Sequence, residues 1–465
     1  MSLQELETDI LLLKHELHQV QIINNNLDLS NRKLVEENAL LRRENLLLKT
    51  KINSLEDKLN INSSNSGLPS SKDVYKIERK SKRRSTLKPG GQLGQKPRSF
   101  EFKVPDKVIN VVPAQSECCC GGDLVLAADY KAHQKIEIPQ IKPFVTEYRL
   151  RTSVCSKCDK KYSGKLENYK LLGKNAESII TSLGGFFNNS KRDIQSILKQ
   201  IFNLDISLGL VSKSEERVSA KLEVKYKELH EKVENSKFLH LDETSCNNKG
   251  KRGWCWVAAS KDVTLFKLTN SRGKKVLEDF LPEYTGKVIT DRYAVYNIFA
   301  EDNRQVCLAH LRRDFKRFAH SKEQSLSKMG LSLVKLIDLV FDTHRVFKNE
   351  KIDKLYYLRR MRKIKKKMNK YLKIVANLSQ CRQAARVAGN VLKSFDMMWT
   401  FVNYPEIEPT NNFAERQIKH QVKYRKNSFF TWSARGDRFI ERAKSIFASA
   451  KLQNLNPFLE LQALL

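Results

Sequence analysis

The sequence of 465 residues lacks any run of about 18 apolar residues, the length that a membrane-crossing helix requires. Its first residues, MSLQELETDI, include early acids and no apolar segment typical of a signal peptide, so we expect neither a membrane anchor nor secretion. Acidic residues are scarce relative to basic ones: 52 Asp and Glu stand against 85 Lys and Arg, a net charge of +33. This balance favours a polyanionic partner, usually nucleic acid, although a basic ribosomal-type protein has the same composition.

The nine cysteines are not spaced like a secreted disulfide framework, which favours a reducing compartment and thiolate metal ligands. Two cysteine knuckles, CCC at 118–120 and CSKC at 155–158, alternate with β-like runs such as VINVVP and KIEIP. This pattern resembles a zinc ribbon over residues 100–172. Its predicted Zn²⁺ ligands are Cys118, Cys120, Cys155 and Cys158. A regular CxxCG would need Cys at Glu117, so a degenerate, metal-free ribbon stays open.

The N-terminal residues 1–61 follow a heptad repeat. Apolar residues occupy every d position: Leu6, Leu13, Val20, Leu27, Leu34, Leu41, Leu48 and Leu55. Four successive a positions are asparagines, namely Asn24, Asn31, Asn38 and Asn45. Asparagine pairs across a parallel two-stranded seam and disfavours slipped or higher-order alignments. The sequence therefore predicts a parallel coiled coil that makes a homodimer.

Two segments after the coiled coil are candidates for DNA contact. Residues 62–99 begin as a Ser/Asn-rich linker and then carry ten basic residues against two acids from Lys72 to Arg98. We expect a flexible arm that grips phosphate through Lys82, Arg83 and Arg84; a solvated linker is the alternative. Residues 173–234 predict helices with a helix-turn-helix silhouette, although most helical hairpins bind nothing.

Residues 235–430 predict the order β-β-β-α-β-α-β-α, which matches the ribonuclease H-like fold, and a helical tail at 431–465 follows. Asp242 lies on the first strand and Asp291 just past the fourth, so the two carboxylates should converge. Like charges held that close repel, and a pair of divalent ions resolves the repulsion. Strand alternation puts His240 on the face of Asp242, and Glu243 on the opposite face as a supporting or surface residue.

A helix predicted to start at Pro409–Thr410 supplies a third carboxylate. Ala414, Ile418 and Val422 form its apolar stripe, and Glu415 lies at the edge of that stripe. One basic face beside the acid consists of Arg416, Lys419, Lys423 and Lys426. A metal-binding acid beside phosphate-binding cations suits phosphodiester chemistry. Taken alone, the segment also fits an ordinary amphipathic surface helix.

Four motifs in order, HLDET, TDRYAVY, CLAHLRRDF and NNFAERQIKHQVKYRKN, resemble the insertion-sequence-66 family of bacterial DDE transposases. The resemblance covers nearly the whole chain and implies a catalytic triad of Asp242, Asp291 and Glu415 with Mg²⁺ or Mn²⁺, as two ions. The long second spacing implies a helical insertion at about 315–405, which contains the basic run RRMRKIKKKMNK. The family usually has Gly where this chain has Arg292. Cys307 and His310 form a CxxH pair without further ligands, interpreted as structural.

The resemblance implies a multidomain α+β protein that binds terminal inverted repeats and catalyses DNA strand cleavage and strand transfer. The expected partners are double-stranded transposon ends and target DNA, a second copy or higher synaptic assembly, and accessory proteins of the same element. The expected location is the bacterial cytoplasm, at the nucleoid. Two alternatives stay open: a non-catalytic dimeric DNA-binding protein, decayed or repurposed, and a structure-specific nuclease without strand transfer.

Overall fold

The computed structural model describes residues 3–59, 101–115, 117–428 and 431–465. The chain divides into two compact units. One comprises residues 77–171 and 191–211, and the other comprises 1–76, 172–190 and 212–465. The expected basic arm, with Lys82, Arg83 and Arg84, lies outside the described residues. No helix in the described ranges combines the length and apolar character needed to cross a bilayer.

The N-terminal heptads form one helix, α1 (Leu3–Leu59), close to the predicted bounds. Its d-position side chains from Leu13 to Leu55 are each 51% to 63% exposed. Asn38, at an a position, donates its side-chain amide to the carbonyl of Leu34 at 2.9 Å. At those positions the helix therefore presents a row of apolar side chains that the other described residues leave exposed.

The cysteine-rich region holds less regular structure than the sequence predicts. Strands β1 (Thr152–Val154) and β2 (Lys161–Ser163) form an antiparallel pair around the second knuckle, and one bridge joins Glu117 to Asp123 around the first. The runs VINVVP and KIEIP are not in strands. Their side chains are exposed, for example Val111 at 90%, so no burial stabilises them as strands.

Three helices precede the sheet. They are α2 (Lys174–Thr181), which continues into a π-helical turn at Ser182–Phe186, α3 (Lys191–Phe202) and α4 (Leu208–Glu234). Asn203 adopts a left-handed conformation directly after α3, at φ 52°, and Gln195 donates to the carbonyl of Ile206 at 2.7 Å. Residues 203–207 therefore separate α3 from α4, and the helix-turn-helix stays a prediction.

A mixed five-stranded sheet forms in the order β5-β4-β3-β6-β7. The strands are β3 (Phe238–Asn248), β4 (Lys251–Ala259), β5 (Thr264–Thr269), β6 (Lys287–Thr290) and β7 (Arg304–Val306). The first three are antiparallel, and β6 and β7 are parallel to β3. Helix α5 (Lys274–Phe280) connects β5 to β6. The helix predicted between β6 and β7 is instead two short 3₁₀ turns, Ala294–Ile298 and Glu301–Asn303.

The C-terminal helices cover the sheet and close its edge. They are α11 (Asn412–Asn427), α12 (Ala434–Leu452) and α13 (Pro457–Leu464). On α12, Ser449, Ser445 and Glu441 accept hydrogen bonds from successive free backbone N–H groups of edge strand β5, at 3.0, 2.9 and 2.7 Å. This i, i+4, i+8 spacing lets one helix face satisfy a strand edge that would otherwise stay unpaired.

A helical block lies between β7 and α11, where the sequence predicts an insertion. Its helices are α6 (Leu308–Ala319), α7 (Gln324–Lys348), α8 (Lys354–Ala376), α9 (Arg382–Lys393) and α10 (Thr400–Asn403). They share one apolar core that reaches β6 and β7 through Ile289 and Val306. The basic residues of RRMRKIKKKMNK surround a buried stripe that includes Met361, Ile364 and Met368.

Gly330 of α7 marks the closest contact in this block. A Cβ added there would lie 2.2 Å from the backbone nitrogen of Ala319 at the end of α6. We expect Gly330→Ala to lower the midpoint of chemical or thermal unfolding, because backbone cannot give way as a side chain end can. Gly389→Ala on α9 is the matched control, since a Cβ there meets nothing within 4 Å. Replacing Gly389 by Ala should gain about 1 kcal/mol of helix propensity. Equal stability of the Gly330→Ala and Gly389→Ala variants would contradict the close contact of α7 with α6.

Candidate active site

The register of β3 and β6 brings the first two acids together. Residues Phe238–His240 pair in parallel with Lys287–Ile289, and His240 is opposite Ile289. Continued by two residues, the same register places Asp242 opposite Asp291. Neighbouring strands lie about 4.8 Å apart, so the carboxylates of Asp242 and Asp291 are neighbours at the end of β6.

The pKa of Asp242 is strongly raised in this site. Burial raises its pKa well above the usual range, and the nearby carboxylates of Glu243, Asp291 and Glu415 raise it further. The backbone N–H of Glu243 donates to Asp242 Oδ1 at 3.0 Å and partly offsets this rise. A cation bound here would therefore favour the ionised form of Asp242 and relieve the mutual repulsion.

Arg304 fixes the turn that carries Asp291. This buried side chain of β7 donates to Thr290 Oγ1 at 2.9 Å, to the Asp291 carbonyl at 2.7 Å and to Asn297 at 2.6 Å. The Asp291 carboxylate itself accepts from the backbone N–H of Tyr293 at 2.8 Å. The Arg304 guanidinium thus fixes the backbone of Asp291. The hydrogen bond from Tyr293 uses Oδ1 of the Asp291 carboxylate and leaves Oδ2 for another ligand.

Arg292 replaces a glycine expected from the family resemblance. It forms an ion pair with Asp314 of α6. It is not among the described residues with positive φ, so the turn does not need the conformational freedom of glycine. The departure from the family pattern is therefore accommodated by a local charge partner.

Glu415 reaches the site from the first turn of α11, which begins at Asn412, two residues later than predicted. Its Oε1 atom is buried without a hydrogen-bond partner in the described structure. Arg313 Nη2 and His310 Nε2 each lie 3.8 Å from this oxygen, and burial lowers the pKa of His310, so Arg313 is the cation of the two. A buried carboxylate oxygen without a hydrogen bond is costly, and one that faces other acids attracts a divalent cation. The residues present therefore fit a bound metal ion.

Asn411 connects the elements that carry the acids. Its side-chain nitrogen donates to the carbonyl of Leu241 at 2.6 Å, and its Oδ1 pairs with His240 Nδ1 at 3.1 Å. Its backbone N–H donates to Cys307 Sγ at 3.1 Å, and its carbonyl accepts from the backbone of Glu415 at 3.2 Å. A single buried residue thus links β3, the start of α6 and the start of α11.

His240 is held neutral beside Asn411. Burial lowers its pKa to about 4, and the hydrogen bond that its Nδ1 donates to Asn411 Oδ1 opposes this change. Since Asn411 uses its nitrogen for the Leu241 carbonyl, its oxygen accepts and His240 Nδ1 carries the proton. This places His240 in a positioning network on the face of β3 that it shares with Asp242.

Glu243 occupies the opposite face of β3, as alternation predicts, but it is not a surface residue. Its side chain is 2% exposed and accepts hydrogen bonds from Arg272 and Tyr296. Burial raises the pKa of Glu243, while these two donors lower it. Arg272 also stacks on the ring of Tyr293 at 3.8 Å. Both carboxylate oxygens of Glu243 therefore accept hydrogen bonds from Arg272 and Tyr296. Glu243 supports the site from the face of β3 opposite Asp242.

The CxxH pair lies beside Glu415. In the described ranges, Cys307, His310 and Glu415 are the group whose metal-binding atoms all lie within 4.8 Å of one another. Asp242, Asp291 and Glu415 do not come together this closely, which is expected of like charges without a counter-ion. The sequence interpretation left Cys307 and His310 without a third ligand, and the structure supplies one.

The predicted basic face of α11 is exposed as expected. Its members Arg416, Lys419, Lys423 and Lys426 are all at the surface. The buried face of α11 differs from the predicted stripe. Gln421 and Tyr424 are buried with Ala414 and Ile418, whereas Val422 is half-buried. Ala414 and Ile418 pack on Val257 and Phe266 of the sheet, which turns the basic residues outward.

The predicted zinc ligands do not converge in the described part of the chain. Hydrogen bonds within each knuckle lower the pKa values of Cys118 and Cys155, as a thiolate ligand requires. However, the two knuckles do not form a group of three or more donors within 4.8 Å. The ribbon and its zinc therefore stay predictions.

Sequence reasoning missed Asn411, Arg304 and the pair formed by Arg272 and Tyr296. Each acts through side-chain contacts between residues that lie far apart in the sequence, so spacing carried no signal for Arg304 or Arg272. For Asn411 a signal existed, since a polar pair precedes the helix that carries Glu415.

Comparison with known proteins identifies the region that contains this site. A family model described as "Transposase IS66 family" matches residues 192–438, more than half of the chain. A curated relative, the uncharacterized protein y4jD of Sinorhizobium fredii (strain NBRC 101917 / NGR234), is 22% identical over 215 residues. This alignment covers 44% of this chain and 42% of the relative, so the chain spans about two fifths of that protein's length.

Removing the Asn411 side chain should loosen the site. We expect Asn411→Ala to reduce the free energy of unfolding by about 1–3 kcal/mol, because the Leu241 carbonyl and His240 lose a buried partner. Mn²⁺ affinity, measured by calorimetry, should fall as well, since β3 and α11 are no longer tied together. Asn412→Ala, at an exposed neighbouring position, is the control. Unchanged stability and unchanged metal affinity in Asn411→Ala would contradict the role of this link.

Proposed function

Because this chain belongs to the IS66 family of transposases, we propose that it cleaves DNA at the ends of an insertion sequence and joins the freed ends to target DNA. The observation that carries the proposal is the parallel register of β3 and β6, which continued by two residues sets Asp242 opposite Asp291. Glu415 of α11 lies near enough to add to the rise that burial causes in the pKa of Asp242. The order of the sheet, with three antiparallel strands followed by two parallel ones, supports a ribonuclease H-like catalytic domain.

Asp242, Asp291 and Glu415 would hold Mg²⁺ or Mn²⁺, as two ions. Bound there, divalent ions activate an oxygen nucleophile and stabilise the departing oxygen in phosphodiester chemistry. A bound cation would favour the ionised form of Asp242, whose pKa is raised by burial and by the surrounding acids. Glu243 takes no direct part, since Arg272 and Tyr296 occupy its carboxylate.

The protein's own cations would bind the DNA backbone beside the acids. Arg416 and Lys419 project to solvent from the helix that carries Glu415, and Lys423 and Lys426 continue the same face. The exposed basic residues of α8 add a second positive surface within the same compact unit. Such contacts position phosphate without reading sequence.

Recognition of the inverted repeats would come from the predicted arm at 62–99, the predicted zinc ribbon and helices α3 and α4. The exposed seam of α1 would pair with a second copy, so that two transposon ends are held together. Accessory proteins of the same element remain further expected partners, and the proposed location is the bacterial cytoplasm at the nucleoid.

The decisive experiment is cleavage of labelled DNA that carries the sequences flanking the gene. We expect nicking at the element end and joining to a second duplex with Mg²⁺ or Mn²⁺. Asp242→Asn should lower the rate by about 10³-fold or more, because a ligand and its charge are lost at the reacting centre. Lys261→Gln, an exposed charge between β4 and β5 and outside the proposed DNA-binding surfaces, is a control for net charge and should change the rate far less.

Three other outcomes would change the assignment. Tight binding without metal-dependent cleavage would indicate a non-catalytic DNA-binding protein. Nicking without joining would indicate a nuclease without strand transfer. Loss of cleavage in Glu243→Gln but not in Asp242→Asn, with both variants folded, would show that the wrong acid of the pair has been chosen.

The proposed dimer makes a separate prediction. Replacing Leu27 and Leu34, both at d positions, by Glu should convert the protein from a dimer to a monomer in light-scattering measurements, because charges then face each other in the seam. The control replaces Leu29 and Leu40, which are equally exposed but lie at f and c positions. A dimer that survives the first double substitution would contradict pairing through α1.

A further inference from the structure

Glu415 belongs to two different sets of donor atoms. One is the oxygen set formed with Asp242 and Asp291. The other is mixed: Cys307 Sγ, a ring nitrogen of His310 and a carboxylate oxygen of Glu415 all lie within 4.8 Å of one another. The two sets share a single carboxylate, so a metal ion held tightly by the second set would compete for an acid of the first.

The Cys307–His310 segment has the local geometry of a metal-binding turn. Cys307 precedes α6 and His310 lies in its first turn, so the Cys-x-x-His spacing directs both side chains to one side. Cys307 is fully buried, and its sulfur accepts the backbone N–H of Asn411 at 3.1 Å. Burial raises the pKa of the Cys307 thiol, and backbone N–H donors offset that rise only in part, so a bound cation would supply the remaining stabilisation of the thiolate.

Two atoms beside this sulfur have unmet bonding capacity. His310 Nδ1 and Glu415 Oε1 are both buried, and neither has a hydrogen-bond partner in the described structure. A buried polar atom without a hydrogen bond is costly, and the contact of Glu415 Oε1 with Arg313 Nη2 at 3.8 Å is longer than a hydrogen bond. A metal ion shared by the cluster would satisfy the carboxylate oxygen and use the imidazole as a ligand.

We propose that Cys307, His310 and Glu415 bind a thiophilic divalent ion, Zn²⁺ foremost, and that this binding withdraws Glu415 from Asp242 and Asp291. Thiolate and imidazole select Zn²⁺, whereas Mg²⁺ prefers an all-oxygen set. On binding, the Cys307 S–H bond breaks, the proton leaves to solvent and a zinc–sulfur bond forms. Three protein ligands leave a fourth position open to water.

The consequence is inhibition of the proposed reaction by zinc. Only this regulatory half rests on the proposed function, since the binding half concerns the cluster alone. Zinc would act by competing for Glu415 and not by blocking DNA binding, because the basic residues of α11 point away to solvent. The two halves are therefore tested with separate measurements.

The binding half is tested by titrating the full-length protein with Co²⁺, a spectroscopic substitute for Zn²⁺. A thiolate–cobalt charge-transfer band from Cys307 is expected, and it should disappear in Cys307→Ser. The predicted ribbon is controlled by comparing Cys155→Ser and the double variant Cys155→Ser/Cys307→Ser. The loss caused by Cys307→Ser should be the same in both backgrounds.

His310→Ala keeps the proposal falsifiable if Cys307→Ser folds poorly. We expect it to weaken Co²⁺ and Zn²⁺ binding at this site by at least about tenfold, since losing a ligand costs no less than losing a supporting partner. His320→Ala, an exposed histidine at the end of the same helix, is the matched control and should bind as the unaltered protein does. A spectrum that is identical in the unaltered protein, His310→Ala and Cys307→Ser would overturn the site.

The regulatory half is tested by adding Zn²⁺ to the Mg²⁺-dependent cleavage assay. Zinc should lower the rate of the unaltered protein, and the ratio of rates with and without zinc should return toward one in His310→Ala. Cobalt binding at Cys307 without zinc inhibition would overturn the regulatory half. Absence of cleavage under all conditions would instead overturn the proposed function and leave the cobalt result standing.

Discussion

The structure depends on how it holds several carboxylates close together in a partly buried place. Burial raises the pKa of Asp242, and the carboxylates of Glu243, Asp291 and Glu415 raise it further. Such a cluster opposes folding, because charges lose hydration and repel each other. Arg272, Tyr296, Arg304 and Asn411 offset part of that cost by the hydrogen bonds they make around the acids.

The compensation is divided between the two faces of β3. Behind the strand, Arg272 and Tyr296 saturate Glu243, so this acid adds no free donor. On the other face, Asn411 links the strand to the helix of Glu415 by hydrogen bonds that carry no net charge. Neutral links hold the elements together without neutralising the acids, which keeps the site attractive to a cation. At the β5 edge of the sheet, side chains of α12 accept the hydrogen bonds that a further strand would otherwise accept.

Glu415 lies where two kinds of coordination chemistry meet. With the aspartates it offers hard oxygen donors, and with Cys307 and His310 it offers a soft, mixed set. The same residue serves either set because it sits on the first turn of α11, beside the N-terminal turn of α6. Under the proposal made above, the identity of the bound metal would decide whether Glu415 is available to the two aspartates.

The sequence by itself determined the heptad helix, the five strands of the sheet and the alternation that separates Asp242 from Glu243, because these follow from local periodicity. It also placed Glu415 on a helix beside a basic face. Only the tertiary structure decided which side chains support the acids, as with Arg304 and Asn411, since those contacts join residues far apart in the chain. The same holds for the β-like runs near Val111, which failed to form strands where no packing buried them. Periodicity is a property of residues close together in the sequence, whereas side-chain contacts depend on which residues folding brings within a few ångströms of one another.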